Sequence, residues 1–190
     1  MRNTRDDVIA AALGVLDAYG LEFCSMRRVA SALDVQPSAL YHHVPNKQSL
    51  LAFMADEIVR GVRGADPVEL CRSLRTAMLS IRDGADVVAT ASAFRLGVSQ
   101  VEAELADLVG VEGARTLLLY TFGHAQQSQT QLQAQAVGVL PQAADPRLTA
   151  EANTTETQVE TAAELAAELD RSFDRGIAII LAGLRESELG

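Results

Sequence analysis

Residues 34–51, DVQPSALYHHVPNKQSLL, hold two of the three histidines, one of the three tyrosines and the only lysine of a 190-residue chain. Side chains of these types, set this close, could do three kinds of chemistry. His42 and His43 could bind a metal, but adjacent residues on a helix point about 100° apart, and no cysteine or acid stands three or four positions away to complete a ligand set. An acid–base pair would need an orienting acid and a pocket, neither of which a short polar segment supplies. The third possibility is hydrogen-bond donation to an outside anion, which requires only that phenol, imidazole and ammonium be exposed on one face.

The surrounding elements decide whether they are. Thr4 to Asp7 has the spacing of a capping box and should open a helix, with an apolar stripe at Ile9, Ala12, Leu13, Leu16 and Tyr19 and a left-handed stop at Gly20. Ser25 caps a second helix of about two turns, buried along Met26, Val29, Ala30 and Leu33. Asp34 falls where a tight helix–helix turn needs a left-handed residue, and Val35 can plug that turn into the core. Gln36 then caps a third helix, with Pro37 at its first position, where a missing N–H costs nothing. Leu40 and Val44 face inward, which leaves Ser38, Ala39, Tyr41, His42 and His43 outside. Pro45 ends that helix, Asn46 caps a fourth, and Leu50, Leu51, Met54 and Ile58 form its apolar stripe up to Gly61 and Gly64. Two short helices across a tight turn, braced before and after, make a helix-turn-helix whose second helix can enter a DNA major groove.

A formal net charge of −9 argues against a nucleic-acid partner until its distribution is considered. Residues 1–62 carry six cations against seven acids, whereas the rest of the chain carries ten against 18, so the acidity belongs to the C-terminal part. With 48% hydrophobic and 22% charged residues the chain is expected to fold throughout. The start lacks a secretory signal and the run Ile177–Leu184 is too short to span a bilayer, so a cytoplasmic protein without a membrane partner is expected. Cys24 and Cys71 lack metal or redox spacing and are expected as buried thiols. No cofactor motif is present.

Beyond residue 66 there is neither a strand signal nor a repeat. Helical stripes run through 68–82, 94–109, 112–136 and a final pair of helices within 155–185, and the segment 137–153, rich in Gly, Pro, Ala and Asp, is expected as a loop. The last helix is apolar nearly all round at Ile177, Ile179, Ile180, Leu181 and Leu184, and a second copy of the chain is the simplest cover.

Ser25–Met26–Arg27–Arg28–Val29–Ala30, Leu33–Asp34–Val35, Leu40–Tyr41–His42–His43–Val44 and Asn46–Lys47–Gln48–Ser49–Leu50–Leu51 resemble the DNA-binding domain of TetR-family transcriptional regulators, contiguously over residues 5–60. Arg82–Asp83–Gly84–Ala85, Phe122–Gly123–His124 and Gly176–Leu184 resemble, with gaps, the Tet repressor branch of that family. The resemblance implies an all-α fold: a helix-turn-helix DNA-binding domain over 1–62, then an effector-binding and dimerisation domain over 63–190. It also implies a homodimer joined by a four-helix bundle, two helices per chain, here 112–136 and the helix holding Ile177–Leu184. It assigns DNA backbone contacts to Ser25, Tyr41, His43 and Lys47, and base reading to Arg27, Gln36, Pro37, Ser38, Ala39 and His42. The chemistry agrees, since an arginine fork suits guanine, a glutamine amide suits adenine, and Pro37 or Ala39 can touch a thymine methyl. Arg28 joins this set, its alternative being a solvated helix face.

The expected function is a homodimeric, ligand-responsive repressor that binds a pseudo-palindromic operator and is released by a small, largely apolar effector. The alternative is a DNA-binding regulator without an effector, controlled by a partner or by abundance. A cavity could be lined by Leu74, Met78, Val88, Phe94, Val101, Leu105, Leu117 and Tyr120, with Glu104, His124 and Gln127 as polar handles; plain core packing is the competing reading for each. Where the Tet repressor presents a histidine to magnesium-bound drug, the ungapped stretch from Arg82 places Val88, and a nearby arginine position falls on Ser92. Valine cannot coordinate a hard cation, which counts against a magnesium–tetracycline effector. Glutamines at 126, 127, 129, 131, 133 and 135 point around most of a helix, toward a cavity or a partner subunit. An enzyme using Glu102 or Glu104 with His124 lacks an accompanying nucleophile or metal spacing.

Overall fold

Thr4 opens the first helix as its spacing predicts: its Oγ1 accepts from the Asp7 N–H at 3.2 Å, and its own N–H donates to Asp7 Oδ2 at 2.7 Å. The Thr4 N–H, and after it the Thr4 hydroxyl, which donates to the same Oδ2 at 2.8 Å, hold the Asp7 carboxyl below its ordinary range. The computed structural model describes residues 3–94, 99–137 and 154–187. All its elements there are helices: α1 (Arg5–Tyr19), α2 (Met26–Ala32), α3 (Pro37–Leu40), α4 (Lys47–Val59), α5 (Pro67–Leu79), α6 (Gly84–Ala93), α7 (Ser99–Ala136) and α8 (Thr154–Ser187). None of them is long and apolar enough to cross a membrane.

The helices form two units, residues 1–126 and 127–190. In the first, α1 packs on α2 and α4, α2 on α3, and α5 on α4 and α6; the most extensive pairing is α4 with α6. Val8, Ala12, Leu16, Val29, Ala30, Leu40, Val44, Leu50 and Met54 bury into one core beneath the helix-turn-helix. The second unit holds the end of α7 and all of α8, with Phe173 and Ile177 buried.

Four expectations change. The stripes contain no separate helix over 84–93, yet α6 is there, built from small residues of which Gly84, Ala85, Val87, Val88 and Ala91 are buried. A helix enclosed on most sides needs no polar face, so it leaves no amphipathic period to find. Phe94, expected to begin the next helix, instead caps α6, and α7 begins at Ser99. The two final helices are one, α8, because residues 154–175 contain neither glycine nor proline to break it. Gly20 has a positive φ of 81° but an extended ψ of 170°, so it is a glycine-only turn and not the left-handed cap expected. Gly110 behaves in the same way (φ 76°, ψ 165°) and interrupts α7 between the two stripes the sequence shows there. Of the loop expected over 137–153, all but Val137 lies outside the described residues.

Both cysteines are buried free thiols. Burial pushes the Cys71 thiol from an ordinary 9.0 up to about 11, with a small opposing effect from the neighbouring Thr121 hydroxyl, whose oxygen makes no conventional hydrogen bond. At pH 8 the folded protein should therefore hold roughly a hundredfold less Cys71 thiolate than an ordinary thiol would. Alkylation by iodoacetamide is expected only on addition of denaturant, and fast labelling of the native chain would show that Cys71 is accessible.

Candidate nucleic-acid interface

The reading head is built by its turn. Asp34 adopts φ 54°, the left-handed conformation that lets α3 follow α2 so closely, and the Val35 N–H donates back to Ala30 O at 3.0 Å. Ser25 caps α2 by accepting the Arg28 N–H at 3.3 Å, and Asn46 caps α4 by accepting the Ser49 N–H at 2.8 Å. Gln36 occupies the cap position of α3 without any side-chain cap bond, which corrects the role expected of it. Its amide is consequently exposed and not tied to the helix end.

Regular helix stops at Leu40, sooner than expected, but the turn continues: His43 and Val44 N–H groups donate to Leu40 O at 2.9 and 2.8 Å. Leu40 and Val44 are buried, and above them Ser38, Ala39, Tyr41 and His42 are exposed, with Pro37 and His43 half-buried. Ser25, Arg27, Arg28 and Lys47 are exposed as well. Lys47 lies near enough to Cys24 to pull its thiol down against the larger upward push of burial. Among the described residues no group of three or more His, Cys, Asp or Glu side chains could hold a metal.

The second set of residues separates. Leu74, Met78, Val88, Val101, Leu105 and Leu117 are buried, while Tyr120 and His124 are half-buried with ring centroids 5.7 Å apart. Phe94 is 64% exposed at the end of α6 and Gln127 is exposed on α7, so neither shares that burial. Glu104 accepts from Gln100 Nε2 at 3.0 Å and makes no hydrogen bond to His124. Instead, Arg75 Nε–H donates to His124 Nδ1 at 3.3 Å. Sequence reasoning missed Arg75, which is buried on α5. The signal was available, because Arg75 lies on the stripe of Cys71, Leu74 and Met78, where a cation is out of place. Of the glutamines, Gln126 donates to Asp86 Oδ1 at 2.7 Å, Gln129 is buried, and Gln133 is exposed.

A left-handed tight turn, a buried footing and an exposed donor face define a helix-turn-helix protein with an appended helical body. The chain belongs to the tetR family of bacterial regulatory proteins: that family's N-terminal model matches residues 8–54, and the tetracyclin repressor-like C-terminal domain matches residues 65–187. It is similar to the crystal structure of BioQ from Mycobacterium smegmatis, with a TM-score of 0.79 and 31% identity over 96% of this chain and 97% of that one. BioQ with its natural double-stranded DNA operator superposes with a TM-score of 0.73 at 30% identity, over 96% of this chain and 98% of that one. The class E tetracycline repressor protein of Escherichia coli is 36% identical over 115 residues, 55% of this chain and 54% of its own length. The chain thus spans about half the length of that curated relative.

Proposed function

We propose that this protein is a homodimeric transcriptional repressor, with a DNA-binding domain over residues 1–62 and a regulatory and dimerisation domain over 63–190. The observation that carries the proposal is the exposed face of α3 standing on buried Leu40 and Val44 behind the left-handed Asp34. The likeness to an operator-bound BioQ supports it. In this reading Ser25, Tyr41, His43 and Lys47 hold the DNA backbone, and Arg27, Gln36, Pro37, Ser38, Ala39 and His42 meet base edges in successive major grooves of a pseudo-palindromic site. Leu119 and Ile179, 65% and 66% exposed, supply apolar surface that a second subunit would cover.

Release would follow when a small, largely apolar effector, bound among the helices that follow α4, favours one spacing of the two heads. The close packing of α4 on α6 gives such a ligand a mechanical route to the DNA-binding domain. Val88 carries no donor at the position that faces a magnesium-bound drug in the Tet repressor, so a different ligand is expected. A second reading, regulation without a small molecule, is favoured by the complete burial of Leu74, Met78, Val88, Leu105 and Leu117, which suits a core filled by its own side chains.

Selection of bound duplexes from a random pool tests the central reading, and a screen for compounds that release the selected site separates the two modes of control. On that site Lys47→Ala is expected to weaken all sequences alike and reduce the salt slope by about one. Arg27→Ala should instead remove about 1–3 kcal/mol of discrimination at a single base position. Uniform weakening by both substitutions would contradict the division into backbone and base contacts.

A further inference from the structure

The guanidinium of Arg28 lies over two aromatic rings, its Cζ 4.5 Å from the centroid of Tyr19 and 5.5 Å from that of Phe23. Tyr19 ends α1 and Phe23 belongs to the connection before α2, and both rings stay about half exposed, at 52% and 53%. Large aromatic side chains left in water at one spot do little for a core, so their contact with a common cation is the informative feature. A ring attracts a guanidinium through its flat face, and the five N–H donors, which lie in the plane of the group, still point past the rim. Among the described residues Arg28 has no carboxylate at salt-bridge distance. It stands one turn from Ser25, whose oxygen takes its backbone N–H and which the proposed function sets against the DNA backbone.

We propose that Tyr19 and Phe23 are positioning residues that hold Arg28 ready for a DNA backbone phosphate beside the bases met by α3. The inference rests on the DNA-binding reading and adds to it a contact set up by residues that themselves do not touch DNA. An unsupported arginine loses much rotamer freedom when it takes up a phosphate; one already stacked has less to lose, and its fork meets phosphate oxygens in a fixed orientation. The rings supply orientation, and Arg28 alone supplies charge.

Charge and orientation have different signatures in a salt titration. Affinities are measured from about 50 to about 200 mM salt, on the selected operator and on a mixed-sequence duplex, because each phosphate contact adds about 0.9 to the logarithmic salt slope. Arg28→Ala should lower that slope by about one on both duplexes, so that its deficit against wild type shrinks roughly threefold across the range. The double variant Tyr19→Ala/Phe23→Ala should bind more weakly with the slope kept, and should cost nothing further in the Arg28→Ala background. Tyr19→Phe, which keeps the ring, should match wild type. An unchanged slope for Arg28→Ala, or the same cost of losing the rings with and without Arg28, overturns the clamp; the second result would mean that the rings act through folding alone. Wild-type protein that binds neither duplex overturns the clamp and the DNA-binding reading together, whereas wild-type binding with an unchanged Arg28→Ala slope sinks the clamp only.

Discussion

Leu40→Ala is expected to lower stability by about 2–5 kcal/mol and to abolish sequence-selective DNA binding under conditions where the rest of the chain remains folded. The regular part of α3 has four residues, far fewer than a helix needs to form in water by itself. Leu40, 1% exposed, is its only buried side chain, and its carbonyl oxygen also takes the N–H groups of His43 and Val44. Removing the isobutyl group leaves a cavity beneath the segment and removes what holds Tyr41 and His42 at the surface. Leu40→Met, close in volume, should cost less than about 1.5 kcal/mol and retain binding. Urea denaturation paired with binding to the selected operator checks both; an alanine variant with an unchanged midpoint would show that α3 is held by something else.

Gly20→Ala is expected to destabilise by about 2–4 kcal/mol, well beyond an ordinary glycine substitution. Two causes coincide. At φ 81° and ψ 170° the residue lies where side chains are strained, and an added Cβ would stand 2.8 Å from Asp83 Oδ2 and 3.3 Å from Arg82 Nε. That same Asp83 oxygen accepts the Leu21 N–H at 2.7 Å, joining the turn after α1 to the residue that starts α6. Asp83 is itself left-handed, at φ 55°. A Cβ at position 20 must push the carboxylate aside and leave a part-buried N–H without its acceptor. In an Asp83→Gly background the closer of the two contacts is gone, so Gly20→Ala should cost measurably less there. Equal costs in both backgrounds, from denaturation midpoints, would show that the contact contributes nothing.

The reading head was legible in the sequence because its determinants are local. Thr4, Ser25 and Asn46 cap helices through neighbours three residues away, Pro37 sets a first helical turn, and Asp34 tolerates the one backbone conformation the turn requires. Gln36 marks the limit of that reasoning, since a residue in the cap position need not form the cap bond. Helix α6 was not legible, because a segment enclosed by α4 and α5 carries no amphipathic period. The apolar residues proposed to line an effector cavity show in the sequence only as stripes, which are alike for a packed core and for a cavity wall.

What the sequence by itself determined is the helix-turn-helix and its outward donors, since capping, turn conformation and the facing of Leu40 and Val44 depend on spacings of a few residues. Tertiary structure alone decided which distant groups meet: Asp83 with Leu21, Arg75 with His124, and Arg28 with Tyr19 and Phe23. The physical reason is that these contacts depend on how whole helices pack, and neither residue type nor local spacing encodes a neighbour that packing brings from another element.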